Sequence, residues 1–222
     1  MMQASLTARG NQQTISASLP MKQKTVRLKQ IATIKAGYPF RGKIPVAPDS
    51  TVLAVQMKDV SVPEGIDWSS CTPTTLTGKR EPCYLAEGDI LVAARGTHNY
   101  ATLIDQGLAQ LGRQAVAAPH FFVVSVKTPE VLPEYLEWLL NQTPLQRHFE
   151  QNSEGTLTKS IRRSVLEDAQ VVIPPLSKQQ TIIAMANTLR EEHRIINQLI
   201  YNGERMMSAI AHELFNDREV KS

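Results

Sequence analysis

The chain has 222 residues and only two cysteines, Cys71 and Cys83, with no C-x-x-C pair and no neighbouring pair of histidines. This excludes a disulfide framework and a thiolate zinc site, and it fits a reducing, cytoplasmic setting. Apolar residues never run unbroken for the roughly 18 positions a membrane span requires, and Met1 is not followed by a charged segment and an apolar stretch. A soluble, unsecreted protein with no membrane partner is expected. Neither G-x-G-x-x-G nor G-x-x-x-x-G-K-[ST] occurs, so no nucleotide cradle is expected. His98, His120, His148, His193 and His212 lack metal-ligand spacing, and both a G-x-S-x-G elbow and the methyltransferase motif N-P-P-[FY] are missing. Pro48-Asp49 followed by Gln56-Met57-Lys58 faintly resembles the PD…(D/E)xK pattern of metal-dependent nucleases, but Gln56 stands where a second acid would hold the metal. No catalytic residue, metal or cofactor is therefore expected in this chain.

Acidic residues are missing from the first 48 positions, which hold eight bases (Arg9, Lys22, Lys24, Arg27, Lys29, Lys35, Arg41 and Lys43). With a net charge of only +3, everything after that +8 segment is net −5. Segregation of this kind suits a polyanionic partner such as nucleic acid. The hydrophobic fraction of 42% and charged fraction of 20% are those of an ordinary globular chain. One good core plus an appendage is expected, because domains usually run to about 100–200 residues.

Residues 1–20 are rich in Ser, Thr, Gln and Ala and end at Pro20, so they read as a flexible N-terminal arm. Residues 21–176 read as an α+β domain built on a mixed sheet. Strands are predicted over Thr51–Met57, Asp89–Ala94 and Ala115–Val126, where β-branched and apolar runs follow turn residues. From Pro133 to Phe149 the period becomes helical, with Leu132, Tyr135, Leu136, Leu139, Leu140 and Leu145 on one face. At Ile173-Pro174-Pro175-Leu176 the pattern changes again. Ser177-Lys178-Gln179-Gln180 has the S-x-x-Q form of a capping box, predicting a long helix to about Phe215 within the terminal segment 177–222.

That helix would be about 57 Å long, more than one small domain can cover. Its apolar stripe comprises Ile182, Met185, Leu189, Ile196, Leu199, Met206, Ile210 and Leu214, interrupted by polar Glu192 and slipping at Asn202-Gly203. Six bases balance six acids over 177–222, so this segment is suited to another helix rather than to phosphates.

Three basic, turn-rich segments fit DNA instead. Gly37–Lys43 supplies Tyr38, Arg41 and Lys43; Ala94–Tyr100 supplies Arg95, Thr97, His98 and Asn99; Thr156–Ser164 supplies Lys159, Arg162 and Arg163. Arg, Asn, Thr and His side chains can read base edges, Lys and Arg can hold phosphates, and Gly allows close backbone approach.

Across about residues 22–200 the chain resembles the specificity subunit of type I restriction-modification systems. The resemblance is carried in order by VRLKQIATIKAGYPF (Val26–Phe40), VLAVQMKDV (Val52–Val60), LAEGDILVAARG (Leu85–Gly96), LEWLLN (from Leu136) and SEGTLTKSIRRSVLEDAQVVIPPLSKQQTII (Ser153–Ile183). It implies a non-catalytic subunit whose target recognition domain reads one half of a bipartite site on double-stranded DNA. It also implies a conserved helix that acts as spacer and docking surface for modification subunits. Those subunits would carry S-adenosylmethionine and methylate adenine, and a restriction subunit would add nuclease action. Family members usually have two recognition domains and two spacer helices, whereas one of each is present here. A homodimer paired through antiparallel 177–215 helices, forming a coiled coil and reading a palindromic site, is the expectation. An orphan half-subunit that modulates or blocks a full specificity subunit, and a stand-alone DNA-binding regulator, are the alternatives.

Overall fold

The computed structural model describes residues 24–219 except 63, 79, 80, 97, 156 and 157, with side chains as far as 215. The predicted arm at 1–20, and Thr97, lie outside the described residues. The fold is α+β. Strand β1 (Lys24–Arg27) leads through the one-turn helix α1 (Leu28–Ile31) into β2 (Ala32–Ala36), and β3 (Val52–Val55) is the ordered core of the predicted Thr51–Met57 strand. The remainder of that stretch turns into a 3₁₀ turn at Met57–Asp59, closed when the Gln56 amide donates to the Asp59 carboxylate at 2.9 Å. Short strands β4 (Val60–Ser61), β5 (Gly65–Ile66) and β6 (Thr72–Pro73) precede β7 (Ile90–Ala93), β8 (Arg95–Gly96) and β9 (Ala101–Leu103). After the short helix α2 (Gly107–Gln110), the predicted Ala115–Val126 strand proves to be two, β10 (Gln114–Ala117) and β11 (Phe121–Val126). Pro119 and His120 make the turn between them, which the Phe121 amide closes by donating to the Ala118 carbonyl at 3.1 Å.

The predicted helix over Pro133–Phe149 is likewise two helices, α3 (Pro133–Leu140) and α4 (Thr143–Gln151). The break is at Asn141, whose side-chain amide acts as one more peptide group on the edge of β9. Its Oδ1 accepts from the Ala101 N–H and its Nδ2 donates to the Ala101 carbonyl, both at 2.9 Å. The chain closes with β12 (Lys159–Ser160), α5 (Arg163–Asp168), β13 (Gln170–Ile173) and the 44-residue helix α6 (Leu176–Glu219).

The centre is a four-stranded antiparallel sheet in the order β2-β11-β7-β9. Both of its faces are covered, which explains why β7, and β11 over residues 121–124, are apolar at successive rather than alternate positions. Ile90, Val92, Phe122 and Val124 face a cluster with Leu28, Leu136, Leu140, Phe149 and Leu166 from α1, α3, α4 and α5. Leu91, Ala93, Phe121 and Val123 face the opposite way, onto Leu53, Val55, Ile104 and Ala115. Behind them runs the β10-β3-β6 sheet, in which β10 and β3 pair in parallel. Phe121 and Phe149 are wholly buried, each contributing roughly 1.5–3 kcal/mol by apolar burial.

Helix α6 begins at Leu176, and its first turn is not the predicted capping box. Gln179 is completely buried and points into the domain. Its Nε2 donates to the Glu130 and Pro174 carbonyls at 2.8 Å, while its Oε1 accepts from the Leu132 amide at 2.9 Å. Gln179 is thus the pin that fixes the helix to the domain. As expected of one long helix, α6 runs through Asn202-Gly203, where the apolar stripe slips, without interruption. Among the described residues no helix is long and apolar enough to cross a membrane.

Candidate nucleic-acid interface

Four segments remote in sequence meet at one end of the central sheet. The loop after β2 is held against the end of β10, with the Gly37 amide donating to Phe121 O at 2.9 Å and the Tyr38 amide to Ala117 O at 2.7 Å. A side chain at Gly37 would overlap the Ala118 carbonyl, so this loop needs a glycine to lie so close. Beside it, Phe40, Lys43, Gln56, Met57, Lys58 and His120 line an open groove of ≈ 450 Å³. The groove passes into β8, because the Ala94 amide donates to His120 O at 2.7 Å and a Cβ on Gly96 would stand 3.0 Å from Met57 Cε. Gly96 has φ of 128°, a conformation that side-chain-bearing residues rarely adopt. β8 then pairs antiparallel with β12, joining the second and third predicted segments as Lys159↔Gly96 and Ser160↔Arg95. Arg41, Lys43, Lys58, Arg95, His98 and His120 are all exposed, on one connected strip.

The predicted contact residues divide under this geometry. Arg41, Lys43 and Arg95 enter no ion pair among the described residues, so their charge is available to a ligand. His98 lies at the mouth of a small cleft shared with Gln146, Glu150 and Lys159. Tyr38 is corrected to a packing residue: it is buried, its ring stands edge-on to Phe40, and its hydroxyl accepts the Gly78 amide at 2.6 Å. Asn99 is also corrected, since it is buried and its Nδ2 donates to the Ala93 carbonyl at 2.8 Å, closing the β7–β9 turn. Lys159, Arg162 and Arg163 each have an acidic neighbour, Glu150 at 2.8 Å, Glu154 at 2.7 Å and Glu167 at 2.9 Å. The hydrogen bond from Lys159 holds the Glu150 carboxyl below the usual glutamate range. The third segment therefore brings little net charge to the strip. Lys58 and His120 were missed by sequence reasoning. Lys58 does lie in the QMK stretch considered above, but only the fold brings it beside Lys43.

A second set of contacts ties this end of the sheet to α6. Arg190 Nη2 meets Glu137 Oε2 at 2.6 Å, and Glu137 Oε1 accepts from Asn141, the residue that closes β9. Burial pushes the Glu137 carboxyl above its ordinary value, an effect that the Arg190 charge partly offsets. Beyond Arg190 the helix leaves the domain. Ile182 packs half-buried against the domain core, which corrects its assignment to the pairing stripe. Met185, Leu189, Ile196, Leu199, Met206, Ile210 and Leu214 are exposed, as are Ile195, Ile200, Met207 and Phe215 beside them.

Among the described residues no three His, Cys, Asp or Glu side chains gather as a metal site. A model of the type I restriction modification DNA specificity domain matches residues 20–201. The fold is similar to that of the type I restriction-modification S subunit from M. genitalium, with a TM-score of 0.57 and 14% identity over 91% of this chain and 48% of that one. The HsdS subunit from Thermoanaerobacter tengcongensis gives 0.55 and 13% over 83% and 41%. A chain from a structural study of complex assembly and conformational transition in the type I R-M system gives 0.52 and 14% over 82% and 42%. The chain thus spans less than half the length of each of these structures. No curated protein matches it. With the family model covering most of its length, the chain belongs to the type I restriction modification DNA specificity domain family.

Proposed function

We propose that this chain reads one half-site of a bipartite double-stranded DNA target through the strip running from Lys43 and Lys58, past His120, to Arg95 and His98. The observation carrying this reading is that exposed bases from four separate segments converge on one strip, with Arg41, Lys43 and Arg95 outside every ion pair among the described residues and Lys58 only loosely paired, 3.7 Å from Asp59. Free cations supply the phosphate term, and Arg95 beside Gly96 combines a base-reading side chain with a backbone that DNA can approach closely. Two copies pair through the exposed part of α6, which makes the target two inverted half-sites. The same helix docks modification subunits, which supply S-adenosylmethionine and the methyl transfer, and a restriction subunit joins that assembly. Fluorescence anisotropy with a cognate duplex, on the chain assembled with its modification subunit, tests the reading. Lys43→Ala and Lys58→Ala should weaken binding to all sequences alike and flatten the salt slope, whereas Arg95→Ala should cost roughly 1–3 kcal/mol and relax specificity. Unchanged affinity in all three would reject it.

A further inference from the structure

Gly203 lies deep within α6 in ordinary helical backbone. Glycine is the poorest helix former after proline, and a Cβ built at this position meets nothing within 4 Å. Nothing among the described residues calls for a glycine there. Glu192 is the complementary anomaly, an exposed acid on the stripe that otherwise runs in steps of three and four from Met185 to Ile210.

Both departures fit one arrangement. Lay a second copy of the helix antiparallel to the first, with the dyad midway between Ile196 and Leu199. Ile196 then packs on Leu199 of the second copy, Leu189 on Met206, Met185 on Ile210, and Glu192 falls on Gly203. We infer that α6 self-associates in this register, with the missing side chain at Gly203 giving the Glu192 of the second copy a path across the backbone to water. The alternatives are worse on both counts. Sliding one heptad in either direction sets Glu192 against Ile196 or Ile210, and leaves Gly203 opposite Met185 or Leu199. Each of those layers either strands a carboxylate among apolar side chains or leaves a void, and the two-fold axis makes every fault occur twice. Arg190, Glu191, Arg194, Glu204 and Arg205 all lie off the stripe, so the chosen register buries none of them.

The inference rests on the homodimer reading above and deepens it by naming the pairing. The test uses the full chain carrying Cys83→Ser, since Cys71 is buried and Cys83 only partly so. Leu189→Cys is combined in turn with Met206→Cys, Leu199→Cys or Glu213→Cys, which report the inferred register and the two slipped ones. After mild oxidation, the covalent dimer should form with the Met206→Cys pair alone. If light scattering gives a monomer for the unsubstituted chain, the homodimer reading fails and this inference with it. A dimer that cross-links through either of the other pairs overturns the register while leaving the homodimer intact. A second arm uses affinity. Gly203→Leu should weaken self-association roughly tenfold or more, and Glu192→Ala should restore it in the double variant. Were Gly203→Leu to tighten the dimer, as a merely greasier stripe would, the register would be wrong. Helical circular dichroism of each variant shows that α6 itself is kept.

Discussion

Replacing Gln179 by leucine tests how the recognition domain holds its helix. The leucine fits the same volume but removes a side chain that accepts from the Leu132 amide and donates to the Glu130 and Pro174 carbonyls. A buried polar group left without a partner costs about 1–3 kcal/mol. Glu130 is exposed and its carbonyl can regain water, whereas Pro174 is buried and Leu132 partly so. The expected loss is therefore about 2–4 kcal/mol once the groups that can rehydrate are discounted. That is a large part of a domain's usual 5–15 kcal/mol, roughly, and at about 2–4 °C per kcal/mol it lowers the melting temperature by roughly 4–16 °C. The control is Gln180→Leu, the same change one residue on at an exposed position, which should stay within about 0.5 kcal/mol of the parent. Urea unfolding of both variants, followed by circular dichroism, gives the comparison. If Gln179→Leu unfolds at the same urea concentration as Gln180→Leu, Gln179 does not pin α6 to the domain.

Tyr38→Phe removes the hydroxyl that accepts the Gly78 amide. It should lower stability by about 1 kcal/mol while leaving DNA sequence preference unchanged, so a changed preference in a competition assay would restore Tyr38 as a contact. Glu137 carries a sign that can be checked by pH. Its carboxyl is raised by burial, so the folded state holds this proton more tightly than the unfolded chain. The stability from this group is complete below the ordinary glutamate pKa and is lost as pH rises through the raised value. Glu137→Gln should flatten the stability profile above the ordinary value, and an unchanged profile would show that burial does not govern this group. Burial also pushes the Cys71 thiol up to about 12, with Asp59 and Asp67 adding to the effect. Iodoacetamide should therefore modify Cys83 and spare Cys71 until the chain unfolds, which peptide mass spectrometry can follow.

Helix α6 and strands β3, β7, β10 and β11, though not β2 and β9, the two outer strands of the central sheet, were legible in the sequence because their signals are local: a long apolar period after Pro174-Pro175, and apolar runs between turn residues. Their boundaries were less so, and the reasons are tertiary. Asn141 ends α3 early because it completes the edge of β9, forty residues before it in the chain. The cap spacing singled out Ser177 and Gln180, yet it is Gln179 between them that turns inward, onto the segment before α3 and the Pro174 carbonyl, which no local pattern reveals. The basic segments were found from composition, but composition cannot tell a ligand-facing base from one engaged by an acid, as at Lys159 and Arg162. Nor can it tell an exposed aromatic from one packed on a distant glycine, as at Tyr38. Lys58 and His120 carried no signal of their own, because each becomes part of the strip only when β3 and β10 pair side by side.

The most direct measurement is the methylation pattern made by this chain together with its modification subunit in a host that lacks both, read by single-molecule sequencing. The expected result is one methylated motif of two inverted, identical half-sites with a fixed gap, lost when Arg95, Lys43 and Lys58 are replaced together by alanine. A motif with two unlike halves, or the same motif still methylated by the triple variant, would contradict the assignment of half-site reading to this strip in a symmetric pair.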